Sequence, residues 1–143
     1  MVKISEPYKR QLSQIDSLPG IDVVASLLIM AEISNEPMRS FESAEKLCSW
    51  AGLVPRNDQS AGKIYSKKVL PGNKYLKSIL CQCAWVAVKQ RGNLFHKWYW
   101  THQRKMGEKK AITAVSRKIL TVIYKLLSTV SFYDPQIAMA HLQ

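Results

Sequence analysis

Ser60 is the side chain in this sequence whose surroundings best suit a chemical role. It lies in an interval of small and turn-forming residues, between positions 52 and 77, that lacks helical periodicity. Polar, Gly-rich intervals between regular elements are common places for functional residues. A serine hydroxyl is a weak nucleophile unless a base, a metal ion or a fixed charge assists the loss of its proton. Asp58 is the only base close to it in the sequence.

Basic and amide side chains accompany Ser60 and continue into the next segment. The candidate nucleic-acid-binding residues are Arg56, Lys63, Lys67, Lys68, Asn73, Lys74 and Lys77. Cations around a small polar turn are typical of a site that binds phosphate groups. An ordinary surface turn explains the same residues equally well, so both interpretations stay open at this point.

The distribution of charge favours a polyanionic partner. The net charge is +11, but residues 1–58 carry a balance of −2 and residues 59–143 a balance of +13. The basic part contains only two acidic residues, Glu108 and Asp134. Such a lopsided surface predicts phosphate contacts, most often with nucleic acid, and a solvated lysine-rich surface is the alternative.

The histidines and cysteines do not predict a metal or cofactor site. His96 and His102 are six residues apart, so they do not share a helix face, and no acid neighbours them at ligand spacing. Cys81 and Cys83 point to different sides of a helix. We therefore expect no cofactor in this chain and three reduced, mostly buried cysteines, as in a bacterial cytoplasmic protein.

An aromatic cluster over 95–100 has two possible roles. Trp98, Tyr99 and Trp100 follow Phe95 and precede two cations, so their rings could stack on bases. Core packing is the expected role for at least two of the rings.

The elements that must position these residues are helical. Apolar periodicity predicts helices over 6–15, 23–34, 41–51, 73–90, 94–105 and 108–130. In the second of these, the apolar residues that recur at helical spacing are Val24, Leu27, Leu28 and Ala31. Asp22, Ser40 and Asn93 are the expected N-terminal caps of the second, third and fifth helices. Residues 53–72 are predicted as an irregular loop or a short β-hairpin. The sequence therefore predicts a compact, mainly α multi-helix domain.

Two features of this helical outline have alternative roles. The turn at Pro19 and Gly20 joins two helices as in a helix-hairpin-helix, but Asp22 would repel a phosphate there, which favours a packing corner. The apolar seam of the last helix either completes the bundle or forms a helix–helix contact in a homo-oligomer.

The length predicts one domain of 143 residues. Its expected parts are a helix-hairpin-helix-like region at about 1–51, a catalytic-type loop at 52–72 and a basic helical region at 73–131. No apolar run approaches the roughly 20 residues that span a bilayer, so no membrane partner is expected.

An ordered set of motifs resembles the C-terminal transposase domain of the IS110/IS116/IS902 family of insertion-sequence recombinases. The resemblance covers about residues 15–95. Its motifs are Leu18-Pro19-Gly20-Ile21, Ala51-Gly52-Leu53-Val54-Pro55, Ser60-Ala61-Gly62-Lys63 and Gly72-Asn73-Lys74-Tyr75-Leu76-Lys77.

The resemblance implies a mechanism and partners that could not be inferred from the residue types alone. Ser60 matches the serine with which this family attacks DNA, and a structured guide RNA directs the reaction. An N-terminal RuvC-like domain of the family holds an acidic, metal-binding cluster. We expect the divalent metal, most simply Mg²⁺, to be bound there and not in these 143 residues, which resemble a separated domain.

The sequence departs from the family pattern at three positions. Ala61 stands where glycine is usual, Asp22 replaces the second glycine of the hairpin, and Pro71 replaces a basic residue. The alternative function is a non-catalytic helical module that binds nucleic acid or mediates dimerisation.

Overall fold

A computed structural model of the chain describes residues 6–33, 43–53 and 74–129. These residues form six helices and no strand, and 84% of them are helical. The helices are α1 (Glu6–Asp16), α2 (Val23–Ile33), α3 (Ala44–Trp50), α4 (Lys74–Lys89), α5 (Leu94–Met106) and α6 (Glu108–Thr129). The mainly α prediction is confirmed. The loop or hairpin predicted over 53–72 lies, beyond Leu53, outside the described residues.

The helix starts follow from capping side chains. Asp22 Oδ1 accepts a hydrogen bond from the Ala25 amide at 2.7 Å, and Asn93 Oδ1 accepts one from His96 at 2.9 Å. Both predicted caps are confirmed. The third helix starts later than predicted, because Ser43 caps it by accepting from Lys46 N at 3.3 Å. Ser40, the predicted cap, lies outside the described residues.

Helix α6 is the element against which most of the other described helices pack. It packs against α1, α3, α4 and α5, and its predicted seam is buried at Ile112, Val115, Ile119, Val122 and Leu126. The side chain of Gln14, on α1, donates to the Leu126 carbonyl at 3.0 Å. The seam therefore completes the core within the chain. Neither α6 nor another helix in the described ranges is long and apolar enough to cross a bilayer.

The α1–α2 turn is a packing corner, as the presence of Asp22 favoured. Gly20 has a φ of +84°, and a Cβ added there would lie 2.5 Å from the Cys83 carbonyl oxygen and 2.8 Å from the Ala87 nitrogen. A side chain at position 20 would thus collide with the backbone of α4. Leu18 and Ile21, on either side of the glycine, are buried.

Helix α2 buries a different face from the one that its periodicity suggested. Val24, Leu27, Leu28 and Ala31 recur at helical spacing, but all four are exposed. The buried residues are Ser26, Ile29, Met30 and Ile33. Nearly every position of α2 is apolar, so periodicity fits either face, and contacts with α1 and α4 select one of them. The buried Ser26 hydroxyl donates to the Val23 carbonyl at 2.7 Å.

Candidate nucleic-acid interface

A cationic groove lies where the ends of α3 and α5 meet α4 and α6. It encloses about 500 Å³. Four basic side chains line it, one from α4 and three from α6: Lys77, Lys109, Lys110 and Arg117. The remaining lining residues are apolar or small, namely Gly52, Leu53, Met106, Thr113 and Ala114.

The end of α3 brings the chain to this groove. The amides of Ala51, Gly52 and Leu53 donate to the carbonyls of Leu47, Ser49 and Cys48 at 3.0 Å each. Gly52 adopts a φ of 76°, the left-handed conformation that often ends a helix. Leu53 is buried, so the last described residue before the 54–73 segment is held firmly at the groove.

Contacts between α3 and α6 hold the groove wall in place. The buried Cys48 thiol lies 3.6 Å from the Arg117 carbonyl oxygen and 3.5 Å from the Thr121 hydroxyl. Burial raises the pKa of the Cys48 thiol, so the sulfur stays protonated and acts as a packing group. Since these bonds use the backbone of Arg117, its guanidinium is left to line the groove.

Among the residues that the structure describes, the lining of the groove carries positive charge only. None of the nine described lining residues is acidic. Glu108, the only acid between positions 74 and 129, interacts instead with Tyr99, and burial together with this carboxylate raises the pKa of the Tyr99 phenol. Clustered cations repel one another, and an anion placed among them relieves that repulsion.

Lys118, the cation that follows Arg117 on α6, contacts an aromatic ring and does not line the groove. Lys118 Nζ lies 4.7 Å from the centre of the Trp98 ring, which stacks on His102 with centroids 4.3 Å apart. Burial lowers the pKa of Lys118, and Arg117 beside it adds to the effect. Lys118 therefore contributes to packing and not to the groove.

The structure describes two of the predicted binding residues, Lys74 and Lys77, and one of them lines the groove. Lys77 lines the groove, one turn into α4. Lys74 is exposed at the start of α4, with Nζ 6.0 Å from the centre of the Tyr75 ring, and is not among the groove residues. Ser60, Arg56, Lys63, Lys67, Lys68 and Asn73 lie outside the described residues.

The α6 cations were not among the predicted site residues. Their spacing contained a signal, because Lys110, Thr113, Ala114 and Arg117 recur every three or four residues and so share a helix face. That pattern did not reveal that this face borders Leu53 and Lys77. The information is tertiary and comes from the packing of α3 and α4 against α6.

The histidines have structural partners. His96 Nδ1 donates to the Val88 carbonyl at 2.6 Å, and His102 Nδ1 donates to the Trp98 carbonyl at 2.8 Å. Within the described ranges, no group of three or more His, Cys, Asp or Glu residues could hold a metal ion. Phe95 and Tyr99 are buried, which confirms that at least two rings of the aromatic cluster pack in the core.

Comparison with known proteins extends these observations. A pilin gene-inverting protein of Moraxella lacunata is 35% identical over 140 residues, which cover 96% of this chain and 43% of that protein. Its namesake in Moraxella bovis is 29% identical over the same coverage. An insertion element IS110 uncharacterized 43.6 kDa protein of Streptomyces coelicolor is 24% identical over 123 residues, 84% of this chain and 29% of that protein.

This chain spans less than half of the length of each of these relatives. The Transposase IS116/IS110/IS902 family matches residues 12–99. This interval runs from α1 into α5 and includes Ser60 and Lys77. With more than half of its residues in the match, the chain belongs to the IS116/IS110/IS902 transposase family.

Proposed function

We propose that this chain is the part of a DNA-recombining transposase that supplies Ser60 as the nucleophile. The observation that carries the proposal is the family match across residues 12–99, a range that includes Ser60. The resemblance of Ser60-Ala61-Gly62-Lys63 to the serine motif of the family supports the choice of this residue. The cationic groove supports it, because Leu53, seven residues before Ser60, and Lys77, downstream of it, line the same groove. The named activity of the Moraxella relatives, gene inversion, is also a DNA rearrangement.

The proposed step exchanges one phosphate ester for another. Ser60 Oγ attacks the phosphorus of a DNA phosphodiester, the bond from phosphorus to the 3′ oxygen breaks, and the serine proton ends on the released 3′ oxygen. The products are the two ends of the cleaved strand: a 5′ end joined to Ser60 as a phosphoserine, and a free 3′-hydroxyl. Attack by a 3′-hydroxyl on the phosphoserine reverses the step and joins the strands. Bond energies are similar on both sides, so positioning and charge neutralisation govern the rate.

The cations serve this step by offsetting phosphate charge. Arg56, Lys63 and Lys68 lie close to Ser60 in sequence, and we assign them to the phosphate under attack. Lys77, with the three α6 cations, is assigned to neighbouring phosphates of the same duplex or of a guide RNA. A preorganised set of cations stabilises charge that develops in the transition state.

We propose that groups from another part of the protein activate Ser60. The family resemblance implies a divalent metal in a RuvC-like domain, and on that basis we assign the metal and its acidic ligands to that domain. This chain contributes the nucleophile and the binding surface.

The test is a search for the covalent intermediate. Intact transposase carrying this chain is reacted with labelled target DNA and examined on a denaturing gel, where a phosphoserine adduct migrates with the protein. Ser60→Ala is expected to abolish both the adduct and strand exchange, because alanine has no attacking oxygen. Binding of DNA is expected to stay within about twofold of the parent, since the groove cations are retained.

Ser66→Ala is the matched control, because it removes a serine hydroxyl from the same segment six residues away. It is expected to form the adduct at the parental level. An adduct that persists in Ser60→Ala overturns the assignment of the nucleophile. DNA binding with no adduct in the parent protein would favour the non-catalytic binding module.

A further inference from the structure

A second cavity lies on another part of the molecule and shares no described lining residue with the groove. It encloses about 460 Å³ at the junction of α4 and α5. Its described lining residues are Val88, Lys89, Arg91, His96 and Trp100. The cavity thus combines one large aromatic ring with two cations, and none of these five residues is acidic.

The Trp100 ring is held in place while much of its surface stays in solvent. Trp100 is 55% exposed. Its Nε1 donates to the Val88 carbonyl at 3.3 Å, and the Tyr99 ring meets it edge-on with centroids 5.3 Å apart. The hydrogen bond fixes the position of the indole through its edge. Exposure of a restrained ring lowers the entropy cost of stacking a planar ligand on it.

The hydrogen bond of Trp100 gives the edge of the indole ring a structural role, but it gives none to the exposed face of the ring. The carbonyls at the end of α4 need partners, and Asn93, His96 and Trp100 provide them: Asn93 Nδ2 donates to Ala87, and the other two donate to Val88. A smaller donor would satisfy the same carbonyl. The indole face is therefore available for another role.

We propose that Trp100 is a stacking platform for an unpaired nucleobase, with Lys89 and Arg91 binding the adjoining phosphates. Aromatic rings bordered by cations bind single strands in this way, because every base has a face to stack and every linkage a negative charge. A paired base in a duplex already stacks on its neighbours and cannot use the platform. The site is independent of Ser60 and adds a single-strand contact to a protein proposed to exchange strands.

The experiment compares two substitutions at one position in the 143-residue chain. Trp100→Ala removes the ring, and Trp100→Phe keeps an aromatic face but loses the N–H. Affinity is measured for a short single-stranded DNA, an RNA of the same sequence and the corresponding DNA duplex. Trp100→Ala is expected to weaken single-strand binding by about 5- to 100-fold and Trp100→Phe by less than about threefold. Duplex affinity is expected to stay within about twofold in both.

The outcomes separate stacking from a structural role. If Trp100→Ala loses affinity for single-stranded DNA, for RNA or for both, the result supports the proposal and identifies which kind of strand binds. Unchanged single-strand affinity in Trp100→Ala overturns it, as does an equal loss on the duplex. A loss in Trp100→Phe as large as in Trp100→Ala would assign the effect to the indole hydrogen bond and also overturn it.

A second measurement needs no substitution and so does not depend on folding of the variants. Oligonucleotides of DNA or RNA that contain 5-bromouracil are irradiated with the unaltered chain, and the crosslinked residue is located by mass spectrometry. Crosslinking at Trp100 is expected. Crosslinks found only at other residues contradict the platform. Because neither experiment measures strand exchange, the platform and the Ser60 mechanism can fail separately.

Discussion

Each cation in the groove is positioned to contact a phosphate group of its own. Lys77 and Lys109 come from different helices and line the same cavity, so each is positioned to neutralise a separate phosphate. Each contact of this kind displaces roughly one counterion from the nucleic acid. The dependence of binding on salt therefore counts the contacts, while affinity at one salt concentration does not.

Lys77→Gln and Lys109→Gln are each expected to weaken duplex DNA binding and to reduce the slope of log affinity against log salt by about 1. Titrations over a range of salt concentrations measure both quantities. The matched control is Lys125→Gln, because Lys125 is an exposed lysine on α6 that does not line the groove. Equal effects for the three substitutions would show that net charge, and not the groove, attracts the DNA.

At this scale the sequence predicted one residue that lines the groove, and its binding to nucleic acid stays a prediction. Lys77 was predicted from the motif that it ends, residues 72–77. Lys109, Lys110 and Arg117 were not, because more than 30 positions separate them from Lys77 and only the packing of α6 against α3 and α4 brings them there. Lys74 was predicted from the same motif as Lys77 and, three residues away, shares a helix face with it. It lies about one turn nearer the start of α4 and is not among the residues that line the groove.

For helix α2, the position of the helix was predicted correctly, but the face that it buries was not. Its start at Val23 and its Asp22 cap followed from residue types alone. Its buried face did not, because apolar residues occur on all sides. Leu28 is 48% exposed and the next residue, Ile29, is fully buried. The other helices have polar faces, so for them periodicity was sufficient and their bounds were predicted within three residues.

The two neighbours on α2 give a matched test. Ile29→Ala is expected to lower the free energy of unfolding by about 2–5 kcal/mol, because it leaves a cavity in the core. Leu28→Ala is expected to change it by less than about 1 kcal/mol, since little of its contact area is lost. Urea denaturation of both variants checks this. Equal losses at the two positions would contradict the exposure of the Leu28 face.

At the scale of the whole molecule, packing of the α1–α2 turn on α4 makes the stability of the fold depend on pH. Cys83 is buried beneath Gly20, and burial, with the nearby Asp22 carboxylate, raises the pKa of its thiol from 9.0 to about 11. Below pH 9 the thiol is protonated in both the folded and the unfolded chain, so this contribution to stability is complete. Between pH 9 and 11 only the unfolded chain ionises, and stability falls.

We expect the free energy of unfolding of the parent to decline more steeply between pH 9 and 11 than that of Cys83→Ala. All other titratable groups are common to both proteins, so their contributions cancel in the comparison. Denaturant titrations at several pH values measure the two slopes. Parallel slopes would show that the Cys83 thiol ionises in the folded protein as readily as in the unfolded one.

The bond from Gln14 to the Leu126 carbonyl joins positions 112 residues apart. On the ribosome, synthesis at about 5–20 residues per second places roughly 6–22 s between the appearance of these two groups. Throughout that period α1 and α3 lack the helix against which they pack. The nascent chain thus keeps apolar surface exposed, and the core is completed only after α6 has left the exit tunnel.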